Sequence, residues 1–276
     1  MNAAIISPVA LLDRYSSQGK VQLVLAHLWD NKDYRAFMLR QKAKGNFMIL
    51  DNGAYELRSS VKPSLLMDVA KDLKPDVLTI PDEIMDIRRT LSFFYSFVRD
   101  WNDSLELPDT ALMPVPQGST ETEWWECYDE MCKASMETFT WWAIPKVYQL
   151  VTRQSRRIPA LEMAKRSPKA NIHLFGIWKD PIEELLDMKD IPQVKSIDSQ
   201  LPVTLGHLGR TLNECRPHPH GESFDSTEDP HSEWTLARVC HFLEIAKAQG
   251  GNLFPEEIEP FQIRIPGNLP TGKNTS

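Results

Sequence analysis

The stretch VQLVLAHLWDNKDYRAFMLRQKAKGNFMILD, residues 21–51, contains the repeating unit from which the fold can be predicted. Its first and last segments, 21–27 and 47–51, are almost continuously apolar, as expected for parallel strands that are covered on both faces. The segment 34–45 between them has helical character and ends on Gly45, a residue type that commonly terminates helices. The stretch therefore predicts a strand, a helix and a second, parallel strand.

The same pattern of short apolar runs and helical segments continues along the chain. Further strands are predicted at 77–81, 112–118, 141–145, 171–176 and 194–198. Seven such units favour an α/β fold of the (β/α)8 TIM-like barrel type over the alternative, an open doubly wound sheet. AAIIS near the start and FQIRI near the end are both candidates for the eighth strand.

We expect one catalytic barrel domain over residues 1–276. A small C-terminal insertion, 211–245, is a candidate zinc-binding subregion, and 266–276 is expected to be a flexible tail.

The composition narrows the class of protein. The chain has 276 residues, ordinary apolar and charged fractions and no apolar run long enough for a membrane span. Four scattered cysteines and an N-terminus without secretory features predict a cytoplasmic protein that does not bind membranes.

The net charge of −7 argues against general coating of nucleic acid, but the charge is uneven. Residues 146–169 are strongly basic and include Lys146, Arg153, Arg156 and Arg157. With Arg210, these side chains either contact phosphates of a nucleic acid or form an ordinary solvated face.

Polar residues follow four of the predicted strands. Asp51 ends one strand, Asp82 follows the next, Gln117 and Gly118 follow a third, and Asp198 ends the last. In a barrel these strand ends meet at the C-terminal rim, where active sites are built. A single aspartate there is usually a turn or cap residue, but three carboxylates and an amide on one rim predict a functional site.

These residue types suit chemistry at a sugar carbon beside a planar base. Two carboxylates can divide the nucleophilic and acid–base roles of retaining glycosyl chemistry. A further aspartate can accept hydrogen bonds from the edge of a guanine-like base, and an amide can donate to its carbonyl oxygen.

Four motifs carry a resemblance to a known superfamily: FMILDNGAYEL, LTIPDE, MPVPQGS and SIDSQLPV. In order and spacing they resemble the core motifs of the tRNA-guanine transglycosylase superfamily, most closely its phage-type DNA-acting branch. The resemblance covers roughly residues 20–245. It implies an enzyme that exchanges guanine in double-stranded DNA for a 7-deazaguanine base, such as 7-cyano-7-deazaguanine, without an organic cofactor.

The resemblance also implies individual roles. Asp198 would be the nucleophile and Asp51 the acid–base group, while Asp82, Gln117 and Gly118 would bind the base. Ile84 stands where the family has a cysteine, and the family's glycine-rich loop after the fifth strand is WWAIPKV here. Those contacts therefore do not transfer.

A structural zinc site is the second expectation. Members of the tRNA branch hold zinc after the nucleophile motif, and here the same region contains ECRPHPHGES and ARVCHFLE. Cys215, His218 and His220 with Cys240 would supply sulfur and nitrogen ligands, and His241 is the alternative fourth ligand. Otherwise these are loop histidines and a core cysteine.

Three other functions remain open from the residues alone. They are guanine exchange in tRNA, hydrolysis of a nucleoside or glycoside by Asp51 and Asp198, and nucleic-acid binding without catalysis. His207 either contacts substrate phosphate or is an ordinary loop histidine, and the sequence favours neither. The pairs Trp124–Trp125 and Trp141–Trp142 could stack on bases, but one tryptophan of each pair is more simply a core residue.

Overall fold

The computed structural model of the protein describes residues 1–104, 107–135, 139–177, 180–213, 227–251 and 253. Eight strands lie within these ranges and all pair in parallel. They are β1 (Asn2–Ile5), β2 (Val21–Leu25), β3 (Phe47–Asp51), β4 (Val77–Thr79), β5 (Ala111–Met113), β6 (Trp141–Pro145), β7 (Asn171–Phe175) and β8 (Val194–Ser199).

The strands form two halves of a barrel. One half has the order β1-β8-β7-β6 and the other β2-β3-β4-β5. At one seam, the Ala143 N–H of β6 donates to the Pro114 carbonyl just after β5 at 3.0 Å, and at the other seam β1 packs beside β2. The predicted (β/α)8 barrel is thereby confirmed, and the open doubly wound sheet is excluded.

Helices follow the strands and cover the outside of the barrel. In chain order they are α1 (Lys32–Ala43), α2 (Ala54–Leu57), α3 (Pro63–Leu73), α4 (Ile87–Ser104), α5 (Glu121–Ser135), α6 (Val147–Thr152), α7 (Arg157–Arg166), α8 (Pro181–Asp187), α9 (Leu201–His207) and α10 (Ser232–Lys247). Three short 3-10 helices occupy Val9–Leu11, Ser16–Gln18 and Ala26–Leu28.

Local sequence explains several helix boundaries. Asn31 and Asp180 cap α1 and α8, each accepting hydrogen bonds from two backbone N–H groups of the first turn. Pro63 starts α3, where the missing N–H costs nothing. After α1, the chain turns at Gly45 with φ 82°, which explains why the predicted helix ends there.

The hydrophobic core lies along the strands of the barrel. Strand residues such as Val24, Leu50, Leu78, Ile144 and Leu174 are almost fully buried, as parallel strands between two layers require.

The eighth strand is the N-terminal candidate. Residues Asn2–Ile5 form β1 and pair with β8, from Asn2 opposite Ser196 to Ile5 opposite Ser199. The other candidate, FQIRI, lies outside the described residues. Two predicted strands are shorter than expected: β4 ends at Thr79 and β5 at Met113, so the polar residues that follow them stand on loops.

No helix in the described part of the chain is long and apolar enough to cross a membrane.

Candidate active site

The four predicted polar positions converge at one end of the barrel. Asp51 is the last residue of β3, Asp198 lies near the end of β8, and Asp82 and Gln117 follow β4 and β5. All four residues are buried, with exposures of 9%, 4%, 4% and 2% for Asp51, Asp82, Asp198 and Gln117. Because parallel strands end at the same rim, sequence-distant carboxylates meet in one mouth.

Asp51 is a buried carboxyl group among other carboxyl groups. Its Oδ2 accepts one hydrogen bond, from the Gly53 N–H at 2.9 Å. Burial raises the pKa of Asp51 well above its usual range, and the charges of Glu56, Asp82 and Asp198 raise it further. Asp51 therefore tends to hold a proton at a pH where an exposed aspartate is ionised.

Asp82 is held between two side-chain amides. Asn52 Nδ2 donates to one carboxylate oxygen and Gln117 Nε2 to the other, both at 2.7 Å. Burial raises the pKa of Asp82 to about 6, against the lowering effect of these two hydrogen bonds. The Gln117 amide oxygen in turn accepts from the Met85 N–H at 3.2 Å. Asp82 and Gln117 thus bind each other, whereas the sequence predicted that both bind a base.

Gly118 has a packing role in this structure. A Cβ on Gly118 would lie 2.5 Å from the Trp124 backbone nitrogen and 2.7 Å from the Glu123 carbonyl carbon. The absence of a side chain lets the loop after β5 approach the first turn of α5. This close contact by itself explains why residue 118 is a glycine, so the glycine does not require a planar ligand beside it.

Asp198 is bound by two N–H groups. The Gly176 N–H donates to Oδ1 at 3.0 Å, and Nε2 of His173 lies 3.2 Å from the same oxygen. Nδ1 of His173 is 2.7 Å from the Ser196 hydroxyl, and both of these residues are fully buried. These two contacts hold the side chain of Asp198 in one orientation.

The chain Ser196–His173–Asp198 is not a hydrolytic triad. Ser196 precedes Asp198 by two residues on the same strand, so it lies deeper in the barrel, where it is 0% exposed. A nucleophilic serine must reach substrate, and this one cannot. The three residues orient the carboxylate of Asp198 instead.

An ammonium group lies at the mouth beside the carboxylates. Lys146 directly follows β6, and its Nζ is 3.8 Å from the ring centroid of Tyr55 on α2, a cation–π contact. Its side chain runs past Gly176, where a Cβ would lie 2.8 Å from Lys146 Cδ. The same ammonium acts on the Glu56 carboxyl, whose pKa is raised chiefly by burial and lowered in part by Lys146.

The sequence signal for these additional site residues was weak. His173 and Ser196 lie at inward positions of β7 and β8, where a polar residue interrupts an apolar run. Asn52 follows Asp51 directly, at a position where asparagine is also common in turns. Polar residues inside a predicted barrel strand are the pattern that could have revealed the first two.

Two arginines of the basic stretch 146–169 are bound within the protein. Arg156 is 0% exposed and pairs with Glu184 at 2.6 Å, so it cannot contact a nucleic acid. Arg157 donates to the carbonyls of Asp187 and Lys189. The phosphate-contact prediction for Arg156 is wrong, because its guanidinium is buried against backbone carbonyls at the ends of β6 and β7.

The remaining predicted phosphate contacts have separate positions. Arg153 ends α6 in a left-handed conformation with φ 61°. The Arg210 carbonyl accepts a hydrogen bond from Arg238 Nε at 3.2 Å. Lys146 is the member of the set that the structure places at the mouth.

The zinc prediction lies largely outside the described residues. Cys215, His218 and His220 belong to the range 214–226, which the structure does not describe. Cys240 lies on α10 and is half-buried, with a thiol pKa raised by burial. Within the described ranges, no group of three or more metal-ligating side chains is close enough to hold a metal ion.

His207 and the tryptophan pairs have structural partners. Nε2 of His207 lies 3.2 Å from Asp229, away from the aspartates of the mouth. Trp124, Trp141 and Trp142 are core residues, and Trp125 is partly buried beneath the guanidinium of Arg166. The core interpretation of the tryptophans is the one that the packing supports.

Comparison with known proteins gives a likeness at the level of fold. No protein-family model matches the chain, and no curated protein does. A solved structure of a protein assigned as a fructose-1,6-biphosphate aldolase, from Coccidioides immitis, matches with a TM-score of 0.52 and 12% identity, covering 90% of this chain and 89% of that one. CdNal from Clostridium difficile, solved with mannosamine, matches with a TM-score of 0.43 and 10% identity, covering 89% and 79%.

These comparisons correct the function that the sequence motifs led us to expect. The barrel matched with a TM-score of 0.52 is assigned as an aldolase, not as a guanine transglycosylase. The comparisons therefore support neither guanine exchange in DNA or tRNA nor the hydrolase alternative. The burial of Arg156 agrees with this correction, since it removes part of the expected phosphate-binding surface. At 12% identity the likeness shows the barrel alone, so the activity has to be argued from the site.

Proposed function

We propose that this protein is an enzyme that works by general acid–base catalysis on a small carbonyl compound bound at the barrel mouth. The observation that carries the proposal is the contrast between the partners of Asp51 and those of Asp198. Burial and neighbouring charges raise the pKa of Asp51, whereas the side chain of Asp198 is held in place by the Gly176 N–H and by His173. Two carboxyl groups in one mouth, one of them with a raised pKa, are typical of an acid–base pair.

Each group has a distinct task in such a reaction. Asp51, whose raised pKa favours the protonated form, donates its proton to a substrate oxygen or a leaving group. Asp198, oriented by the Gly176 N–H and by His173, either accepts a proton or stabilises positive charge that develops beside it. His173 keeps Asp198 in place for this role, and Asp82 with its two amides supports the adjoining wall.

A more specific candidate reaction follows from Lys146. Its amine lies at the end of β6, beside Gly176 and within electrostatic range of Glu56. An amine in this position can form a Schiff base with a carbonyl substrate, which would make the enzyme a carbon–carbon lyase of the aldol type. The aldolase assignment of the barrel that the chain resembles motivates this class.

Side chains of the mouth can supply and accept the protons that Schiff-base formation and carbon–carbon cleavage require. The Lys146 ammonium first gives a proton to a carboxylate, for which Glu56 is available, and its nitrogen then bonds to the carbonyl carbon. The carbonyl oxygen takes one proton from that nitrogen and a second from Asp51 and leaves as water, which leaves an iminium ion. The Asp51 carboxylate then takes the proton of a hydroxyl group on the β carbon of the substrate. The bond between the α and β carbons breaks, its electron pair passes to the iminium to give an enamine, and the β carbon leaves as a carbonyl compound.

Reductive trapping tests the lyase candidate. The protein is incubated with pyruvate, dihydroxyacetone or glyceraldehyde and sodium cyanoborohydride, and modified lysines are identified by peptide mass spectrometry. We expect selective modification of Lys146, with slower trapping in Asp51→Asn. Lys44→Arg, at the opposite end of the barrel, should leave the labelling of Lys146 unchanged. Modification of Lys146 no faster than of Lys44 by every carbonyl compound would refute the Schiff base.

The broader acid–base proposal has its own test. In protein labelled with carboxyl-¹³C aspartate, the resonance that disappears in Asp51→Asn reports the titration of Asp51. We expect its midpoint to lie well above the usual range for aspartate, because burial raises the pKa. A midpoint in the ordinary range would overturn the assignment of Asp51 as the acid, whether or not Lys146 is trapped.

The cation–π contact of Lys146 with Tyr55 favours a second candidate. An ammonium held on an aromatic ring can bind substrate oxygen without forming a covalent bond. In that case the enzyme is an acid–base catalyst without an amine nucleophile. The trapping experiment should then leave Lys146 unmodified, while Asp51 still titrates high.

A further inference from the structure

Arg156 is a buried cation outside the mouth that the acid–base scheme does not use. It is 0% exposed and precedes α7 between the outer helices and the ends of β6 and β7. Its Nε donates to Glu184 on α8 at 2.6 Å. Burying a guanidinium is expensive unless its donors find partners, so its remaining bonds identify what the charge does.

Those bonds end on backbone carbonyls at the rim. Nη1 of Arg156 donates to the Ile144 carbonyl at 2.9 Å and to the Phe175 carbonyl at 2.8 Å, and Nη2 donates to the Gly176 carbonyl at 2.5 Å. The planar guanidinium of Arg156 thereby fixes the backbone at the C-terminal ends of two adjacent strands, β6 and β7. A lysine ammonium cannot make this set of hydrogen bonds, since all its donors are on one nitrogen atom.

The clamped segments carry groups of the candidate site. The Gly176 N–H donates to Asp198 Oδ1 at 3.0 Å, and the Lys146 N–H donates to the Phe175 carbonyl at 2.9 Å. Gly176 adopts φ 61°, a left-handed conformation, and the hydrogen bond at its carbonyl holds it there. Arg156 therefore connects to both Asp198 and Lys146 through one intervening peptide.

We propose that Arg156, fixed by Glu184, is a positioning residue that aims the Gly176 N–H at Asp198 and sets the backbone from which Lys146 projects. It does not touch substrate. The proposal depends on the proposed function only for the chemical role of Asp198 and Lys146, because the clamp itself can be measured without any substrate.

Hydrogen exchange of the Gly176 amide is the main test. Exchange is followed by NMR in wild type, Arg156→Lys and Glu184→Gln, with Leu174 on the same strand as the internal measure of global stability. We expect the Gly176 amide to exchange roughly ten- to a hundredfold faster relative to Leu174 in Arg156→Lys. Glu184→Gln, which keeps the three carbonyl bonds, should show a smaller change and serves as the folded variant if Arg156→Lys does not fold.

Arg157→Lys is the matched control. Arg157 is the adjacent residue and also donates to backbone carbonyls, those of Asp187 and Lys189, which are not at the rim. Its substitution should lower global stability without altering the exchange of Gly176 relative to Leu174. A general packing role would affect the two arginine variants alike.

The second measurement follows Asp198 directly. Labelling by a carbodiimide and glycine ethyl ester, read by mass spectrometry, should be faster at Asp198 in Arg156→Lys than in Arg157→Lys, because the carboxylate has lost its fixed N–H donor. Unchanged relative exchange of Gly176, or equal labelling of Asp198 in the two variants, would overturn the positioning role. Neither result bears on whether Lys146 forms a Schiff base.

Discussion

Replacing Asp82 by asparagine should change the pH dependence of stability in a direction that the structure fixes. The folded protein holds this carboxyl group between Asn52 and Gln117, where burial raises its pKa to about 6 from an ordinary value of 3.8. As the pH rises above 3.8, the unfolded chain loses the proton first. Ionisation therefore stabilises the unfolded state, and stability falls until the folded pKa is passed.

The size of the effect follows from the two pKa values. A raised pKa of this extent corresponds to about 3 kcal/mol of lost stability at pH 7, none of it present below the unfolded value. Asparagine cannot ionise, so Asp82→Asn lacks this loss. The variant also loses one acceptor for the amide of Gln117, but that cost does not depend on pH.

Urea unfolding followed by circular dichroism between pH 3.5 and pH 8 separates the two contributions. We expect the difference in unfolding free energy, variant minus wild type, to rise by about 2.4 kcal/mol between pH 4 and pH 7. The part of this free-energy difference that does not change with pH reports the altered hydrogen bonds alone. A difference that stays flat across this range, or one that falls, would show that Asp82 is not a destabilising buried charge.

Three further substitutions test local features. Gly53→Ala should lower the thermal stability more than Gly45→Ala. Both glycines have a positive φ, but only at Gly53 would a Cβ meet a side chain, 2.9 Å from the imidazole of His27. Equal losses of stability in the two variants would contradict this contact. Asp180→Ala should lower the free energy of unfolding in urea by about 1 kcal/mol, because α8 loses its cap. Asp180→Asn, which keeps a capping side chain, is the control. Ser196→Ala should cost about 1–3 kcal/mol, because it removes the partner of a buried imidazole nitrogen, and a neutral result in the same assay would exclude that bond.

The barrel could be predicted from local sequence because each strand and helix carries its own signal. Near-continuous apolar runs such as 47–51 and 141–145 match the observed β3 and β6 residue for residue. Gly45 marked the end of α1 through its backbone freedom. The β1 strand was ambiguous because AAIIS and FQIRI are both short and apolar, and only pairing with β8 distinguishes a strand from another buried segment.

The candidate site was predicted in part. The positions of Asp51, Asp82, Gln117 and Asp198 followed from a general rule, that parallel strands end at one rim. Their partners did not follow, because hydrogen bonds such as Asp82 to Gln117 depend on side-chain directions. The function implied by motif resemblance was wrong, since short motifs around strand ends describe a rim that many unrelated chemistries use.

The sequence by itself determined the alternation of strands and helices, and with it the end of the barrel at which the carboxylates gather. Tertiary structure decided what each charge does. Arg156 and Arg157 are adjacent and look alike in sequence, yet one is fully buried against the carbonyls of two rim strands and the other binds a loop away from the rim. Charge is a property of the residue, whereas its partners and its burial are set by segments distant in the chain, and those decide whether it binds a ligand or holds the fold.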